Sequence, residues 1–194
     1  MDETGKSVQR RLHDAAFLTR YFRGEGIDIG AGPDPLGMYM GLFPLLRDVR
    51  RWDVNDGDAQ AMDGVPDLRY DLVHSSHCLE HLADPAEAVR NWFRIVRPNG
   101  HLVVLVPDED MYEQGEWPST FNADHLWTFA TYKARSWSPR SVNVFDLLRP
   151  LGPAADIVKV ERLVASFREG MYRFDQTRTP VGECAIEFVV RRCP

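Results

Sequence analysis

The chain has 194 residues, enough for one domain with a sizeable core, and its 29 acidic residues outweigh 23 Lys and Arg for a formal charge of −6. That balance lacks the basic footprint of a nucleic-acid binder, and no apolar run approaches the roughly 20 residues that span a bilayer. Three unevenly spaced cysteines, Cys78, Cys184 and Cys193, form neither a disulfide framework nor a thiolate zinc site and fit a reducing compartment. The polar start, Met1 to Arg11, has no signal-peptide core, so the expected location is cytoplasmic.

In chain order, Ser7 to Arg23 carries apolar residues at helical spacing and Gly24 is a plausible stop, so residues 1–24 read as an N-terminal helix. Gly26 to Ile29 is a short buried strand running into Gly30-Ala31-Gly32. Asp48 to Val54 is a second strand, and 55–69 is loop, rich in Asp, Gly and Pro. Tyr70 to Ser75 is a third strand. Asp84-Pro85-Ala86-Glu87 reads as a capping box opening a helix that Pro98-Asn99-Gly100 ends. His101 to Val106 is a strand buried on both faces. After a polar and aromatic stretch, Ser138-Pro139 caps a further helix; Ile157 to Phe167 and Cys184 to Arg191 are the last two strands. The alternation argues an open, mostly parallel α/β sheet, which binds ligands at the carboxyl ends of its strands near the switch point.

The chemistry-bearing positions fall on those ends. Asp28-Ile29-Gly30-Ala31-Gly32 lets the backbone turn sharply with no Cβ in a ligand's way, although a glycine turn without a ligand has the same pattern. A dinucleotide fingerprint needs a third glycine where Pro35 stands, which disfavours a nicotinamide enzyme. Asp53, at the end of the second strand and roughly 20 residues past Gly30, is placed to accept from ribose hydroxyls. Asp58 in Gly57-Asp58-Ala59 can face an adenine amino group, or simply sit in a turn.

With YDLVHSSHCLEHL at 70–82, the helix ending RPNG at 97–100 and the strand HLVVLVP at 101–107, the chain resembles a class I S-adenosylmethionine (SAM)-dependent methyltransferase of the type 11 group. The resemblance implies a Rossmann-like α/β fold: a seven-stranded, mostly parallel sheet with helices on both faces and an antiparallel last strand. It implies SAM as cofactor, with S-adenosylhomocysteine as product. It places SAM at Gly30, Gly32, Asp53, Asp58 and Ala59, with Asp28, Ala31 and Val54 beside them and Ser75 and Ser76 near the methionine end. Asp34 stands where many members carry a third glycine.

His77-x-x-Glu80-His81 matches the pattern of inverted zinc proteases, which needs both histidines on one helix face and a distant third ligand. The methyltransferase resemblance accounts for the same run, so no metal is expected. Residues 108–137 form an acceptor-side lid, with Tyr112, Trp117, Asn122 and Trp127 as substrate contacts. A hydroxyl or ammonium acceptor must lose a proton, and histidine suits that task near neutral pH. His125, with Asp124 to orient it, is the first choice of base, and His77 is the second. The expectation is a single domain, 1–194, that moves a methyl group from SAM to O or N of a small molecule, a sugar or a secondary metabolite. No nucleic-acid or membrane partner is expected. The competing reading is a non-catalytic SAM-fold subunit that activates a partner.

Overall fold

The computed structural model describes residues 3–131 and 133–194; Met1 and Asp2 of the expected N-terminal helix, and Tyr132 of the expected lid, lie outside the described residues. Alternation along the apolar segments builds the centre of the sheet. In β4 (Val96–Pro107), Leu102, Val104 and Val106 face a core that includes Trp92 and Phe93, while Val103 faces the opposite way, toward Phe17 and Phe22. β1 (Gly24–Ile29) runs parallel between β2 (Leu46–Trp52) and β3 (Tyr70–Ser76), and β3 pairs parallel with β4. β8 (Ala185–Arg192) is antiparallel to both β4 and β7 (Ala155–Arg162). The order is β2-β1-β3-β4-β8-β7. The chain leaves β1 toward one edge and returns on the other side through β3, so the switch point lies between them.

Helices cover both faces. α2 (Pro85–Arg94) packs Ala88, Val89, Trp92 and Phe93 on one face, joined there by α3 (Val144–Leu148). The other face carries Val8 of α1 (Glu3–Arg11), a π-helical turn at Phe17–Tyr21 and a 3₁₀ segment at Leu36–Leu42. Among the described residues no helix is long and apolar enough to cross a membrane.

Several expectations are corrected. Among the described residues the main sheet has six strands, not seven: 55–69 is loop, as its composition indicates, and β2 is the edge strand. The expected helix from Ser7 to Arg23 is split, because α1 starts at Glu3 and stops at Arg11. Asn143, not Ser138, caps α3, accepting from the N–H groups of Phe145 and Asp146. The residues before it form β6 (Ser141–Asn143), which pairs parallel with β5 (Thr128–Ala130) in a small second sheet. Asp84 does cap α2, but Gln60 closes the box: its Oε1 accepts from the Asp84 N–H at 2.8 Å and its amide donates to Glu87.

His101 is 2% exposed in β4, with neither ring nitrogen hydrogen-bonded. Burial, with Arg191, Arg23 and Arg20 nearby, pushes its pKa down to about 4. The unfolded chain, with a histidine near 6.5, therefore binds more protons below that pH, and stability falls as the pH drops from about 6.5 toward 4. Wild-type protein is expected to lose on the order of 2 kcal/mol between about pH 7.5 and pH 5 from this residue. Urea unfolding of His101→Asn at the two pH values should show a smaller loss; an equal loss would assign the acid sensitivity elsewhere.

Candidate active site

Three strand ends build the cofactor side. Gly30, directly after β1, has φ +70°, and a Cβ there would lie 2.5 Å from the Cys78 side chain. Gly32 has φ +50°, so both turns of this bend use the left-handed region that suits glycine. Burial pushes the Cys78 thiol up to about 12, so it serves as packing behind the bend and not as a thiolate. Asp28 is buried, and its carboxylate is used internally: Oδ2 accepts from the Leu36 N–H at 2.7 Å, and Oδ1 lies 2.6 Å from His74 Nδ1. Arg11 Nη1 donates to His74 Nε2 at 3.1 Å, which puts the ring proton on Nδ1, facing Asp28. Asp28 thus fixes the bend to β3 as well as bordering the cavity beside it.

That cavity holds about 530 Å³, within the usual range for a small-molecule site, and is walled by Gly30, Ala31, Gly32, Asp34, Ser76 and His77. The far wall comes from residues that carry no sequence signal: Glu3, Thr4 and Lys6 of α1, with Thr177 and Arg178. Asp34, the departure from the glycine pattern, holds α1 in place. Its Oδ2 accepts from the Gly5 N–H at 2.9 Å and its Oδ1 from the Tyr39 hydroxyl at 2.6 Å. Lys6 joins α1 to the last loop by donating to the carbonyls of Thr177 and Gly182.

Asp53 follows β2 and faces the same bend. The Arg51 guanidinium at 2.8 Å and the Val54 N–H hold its carboxyl below the usual range, with a smaller contribution from the Gly32 N–H. Val54 beside it is 84% exposed, an apolar side chain free to meet a flat ring. Asp58 is exposed and caps its own turn at the Gln60 N–H, while the Ala59 carbonyl accepts from Trp92 Nε1 at 2.7 Å. Ser75 does not reach the cavity: it is fully buried and donates to the Ile29 carbonyl. Ser76 does line it, and its hydroxyl has no partner. The glycine cradle and the Ser76 hydroxyl fit the amino-acid end of SAM, whereas Asp53, Val54, Asp58 and Ala59 are not among the residues lining this cavity, and Asp53 meets the bend through the Gly32 N–H.

A second cavity of about 160 Å³ adjoins the first through Glu3, His77 and Thr177, which line both. Tyr112, Asn122 and His125 line it, with Glu80 and His81. The predicted carboxylate partner of His125 is the wrong one. Asp124 is exposed, whereas Glu113, fully buried, lies 2.9 Å from His125 Nδ1. Asp124 contributes its backbone carbonyl, 3.0 Å from His81 Nδ1. His77 has φ +53° after β3, and its Nδ1 is 3.3 Å from Glu80 Oε1. Burial pulls the His77 pKa down, but Glu80, Glu3 and Glu183 together outweigh it and the net shift is upward. Trp127 stands apart, donating to the Leu82 carbonyl, and Trp117 is not among the residues lining either cavity. His77 lies outside any helix, so the one-face arrangement of inverted zinc proteases is absent from this run.

Residues 108–137 are knotted by Glu109, which is fully buried and accepts from Thr128, Lys133, Ser136 and Ser141. These bonds tie the described residues around Glu109 together beyond the carboxyl end of β4. Nothing in its sequence marks Glu113 as the buried partner of His125.

A family model described as a methyltransferase domain matches residues 8–140. No curated protein matches the chain in sequence. A chain from the complex between the Haloferax volcanii Trm112 methyltransferase activator and a methyltransferase has the same fold, with TM-score 0.62 and 13% identity, covering 100% of this chain and 91% of that one. A SAM-dependent methyltransferase from Archaeoglobus fulgidus gives 0.58 and 15%, covering 98% and 94%. The Burkholderia thailandensis 1,6-didemethyltoxoflavin-N1-methyltransferase, solved with S-adenosylhomocysteine, gives 0.57 and 16%, covering 100% and 80%. The chain belongs to the methyltransferase-domain family and is a class I SAM-dependent methyltransferase.

Proposed function

We propose that the protein transfers a methyl group from SAM to an oxygen or nitrogen of a small molecule, with a sugar or a secondary metabolite as acceptor. The observation that carries this reading is the junction of the two cavities. A large one fits the cofactor, and a small polar one opens beside it across His77. At about 160 Å³ the second cavity admits one functional end of an acceptor and not a folded macromolecule. The acidic charge supports the same preference. So does the small-molecule acceptor bound by the Burkholderia relative.

Bound SAM supplies a methyl group on a sulfonium. Gly30 and Gly32 leave room for its amino-acid end, Ser76 offers a free hydroxyl, and Asp53 accepts from the ribose. Tyr112 and Asn122, which line the small cavity, position the acceptor. Much of the acceleration comes from holding acceptor and methyl in line. His125, held by Glu113, takes the acceptor's proton on Nε2.

Two measurements test this. A metabolite panel with SAM, read by release of S-adenosylhomocysteine, is expected to give turnover with small hydroxyl or amine acceptors; binding of SAM without any turnover would favour a partner-activating subunit. Asp53→Ala is expected to weaken S-adenosylhomocysteine about ten- to a hundredfold in calorimetric titration, the value of a hydrogen bond to a charged group. The melting temperature without ligand should barely move, because the Arg51–Asp53 pair is exposed. Unchanged affinity would remove Asp53 from the ribose site.

A further inference from the structure

The small cavity contains a donor set that methyl transfer alone does not explain. Glu80 and His81, from the turn after β3, meet His125, from the segment after β4, with one donor atom from each within 4.8 Å of the others. Glu80 is fully buried; among the described residues neither of its oxygens makes a hydrogen bond of good geometry, and its near neighbour His77 Nδ1 stands 3.3 Å from Oε1. Glu113, also fully buried, adds a second carboxylate to the cluster. Burying carboxylates in this way calls for a cation or a full set of donors.

The histidines are prepared for a cation. The Asp124 carbonyl only accepts, so His81 Nδ1 carries the proton and donates to it, leaving a lone pair on Nε2. Glu113 engages His125 Nδ1 in the same manner, and His125 Nε2 stands 4.0 Å from Glu80 Oε1. Anchoring one ring nitrogen to a carboxylate or carbonyl while the other faces the ion is how proteins orient metal-binding histidines. Two metal–ligand bonds of about 2.0–2.2 Å span up to roughly 4 Å, so a small side-chain rotation closes the set.

We infer that Glu80, His81 and His125 bind a divalent first-row transition metal, with zinc the best match to two imidazoles and a carboxylate. Three protein ligands leave positions open toward Tyr112 and Asn122. The role of the ion rests on the methyl-transfer reading: it holds the acceptor's hydroxyl by an oxygen lone pair and makes its O–H more acidic. With His125 Nε2 occupied, the proton passes to His77 Nε2, a ring nitrogen with no hydrogen-bond partner. The binding site itself does not depend on that reading.

The test is titration of the purified, chelator-stripped full chain with Co²⁺ and with Zn²⁺, followed by visible d–d absorption for cobalt and by competition with a chromophoric chelator for zinc. The expected result is one ion per chain, weakened at least tenfold in His81→Ala and in His125→Ala. His81 is partly exposed, so its variant keeps the test usable if replacement of a buried ligand impairs folding. Parallel calorimetry with S-adenosylhomocysteine separates the two ideas: normal nucleoside binding without stoichiometric metal overturns the metal site alone. Metal binding equally strong in both variants overturns it as well.

Discussion

Glu187→Leu is expected to cost about 3–5 kcal/mol of stability, seen as a lower urea midpoint at unchanged slope. Glu187 lies on β8 with no exposure, and its Oε2 accepts from Arg11 Nε at 2.9 Å and Arg10 Nη2 at 2.9 Å. Its Oε1 accepts from Lys159 at 3.0 Å. Arg11 is itself fully buried, with its guanidinium against the rings of Phe17 and Phe22. Removing the carboxylate strands that cation in the interior, whereas an exposed pair would cost under about 1 kcal/mol. Arg11→Met added to Glu187→Leu should therefore recover part of the loss. Burial alone would raise the Glu187 carboxyl, but Arg11 and Arg10, with Lys159, hold it far below the usual range. Its contribution is present above the unfolded value near pH 4.3 and is lost as the pH falls through the folded one. The acid branch of the stability curve should thus be shallower in Glu187→Leu. Because the same network docks α1, and α1 supplies Glu3 and Lys6 to the cofactor cavity, SAM affinity should fall too. A cost below about 1 kcal/mol would show that the network behaves as a surface pair.

What was legible in the sequence follows from which forces are local. Strands such as HLVVLVP and YDLVHSS declare themselves because both faces are apolar over a short run, and the glycine bend declares itself because few other residues take its backbone. The loop at 55–69 was readable from composition, and it anticipated the sheet of six strands better than the family resemblance did. α1 was only half legible. Its inner face has one large apolar residue, Val8, and otherwise buries Lys6 and Arg11, whose partners Gly182 and Glu187 lie at the far end of the chain. The same limit hid Glu113. His125 stood out as a histidine in an aromatic stretch, and its neighbour Asp124 looked like the natural partner, yet the turn sends Asp124 outward and brings Glu113 in from twelve residues away. Glu80 and His81 were visible as a motif, but a protease helix was the wrong geometry to ask of them. The third group, His125, joins them only through the tertiary fold.

His125→Ala is expected to lower turnover about 10²- to 10⁴-fold, the usual worth of a positioned proton-transfer group, while S-adenosylhomocysteine affinity stays close to wild type. The separation follows from placement. His125 lines the small cavity and is absent from the walls of the large one, and between them stands His77. The loss should fall on kcat more than on KM, since the imidazole acts on the proton or its replacement cation and Tyr112 and Asn122 remain to hold the acceptor. Glu113→Gln is the informative companion. It keeps a hydrogen-bond acceptor at His125 Nδ1, 2.9 Å away in the wild type, and removes only the charge, so its deficit should be smaller than that of the alanine variant. Adding a chelator to the wild type then separates the two roles of the ring. Unaltered turnover in chelator with a crippled His125→Ala assigns it to proton transfer, and loss in both assigns it to the cation. Full turnover in His125→Ala with the true acceptor would remove it from either role and move the proton to His77, the other histidine of the junction.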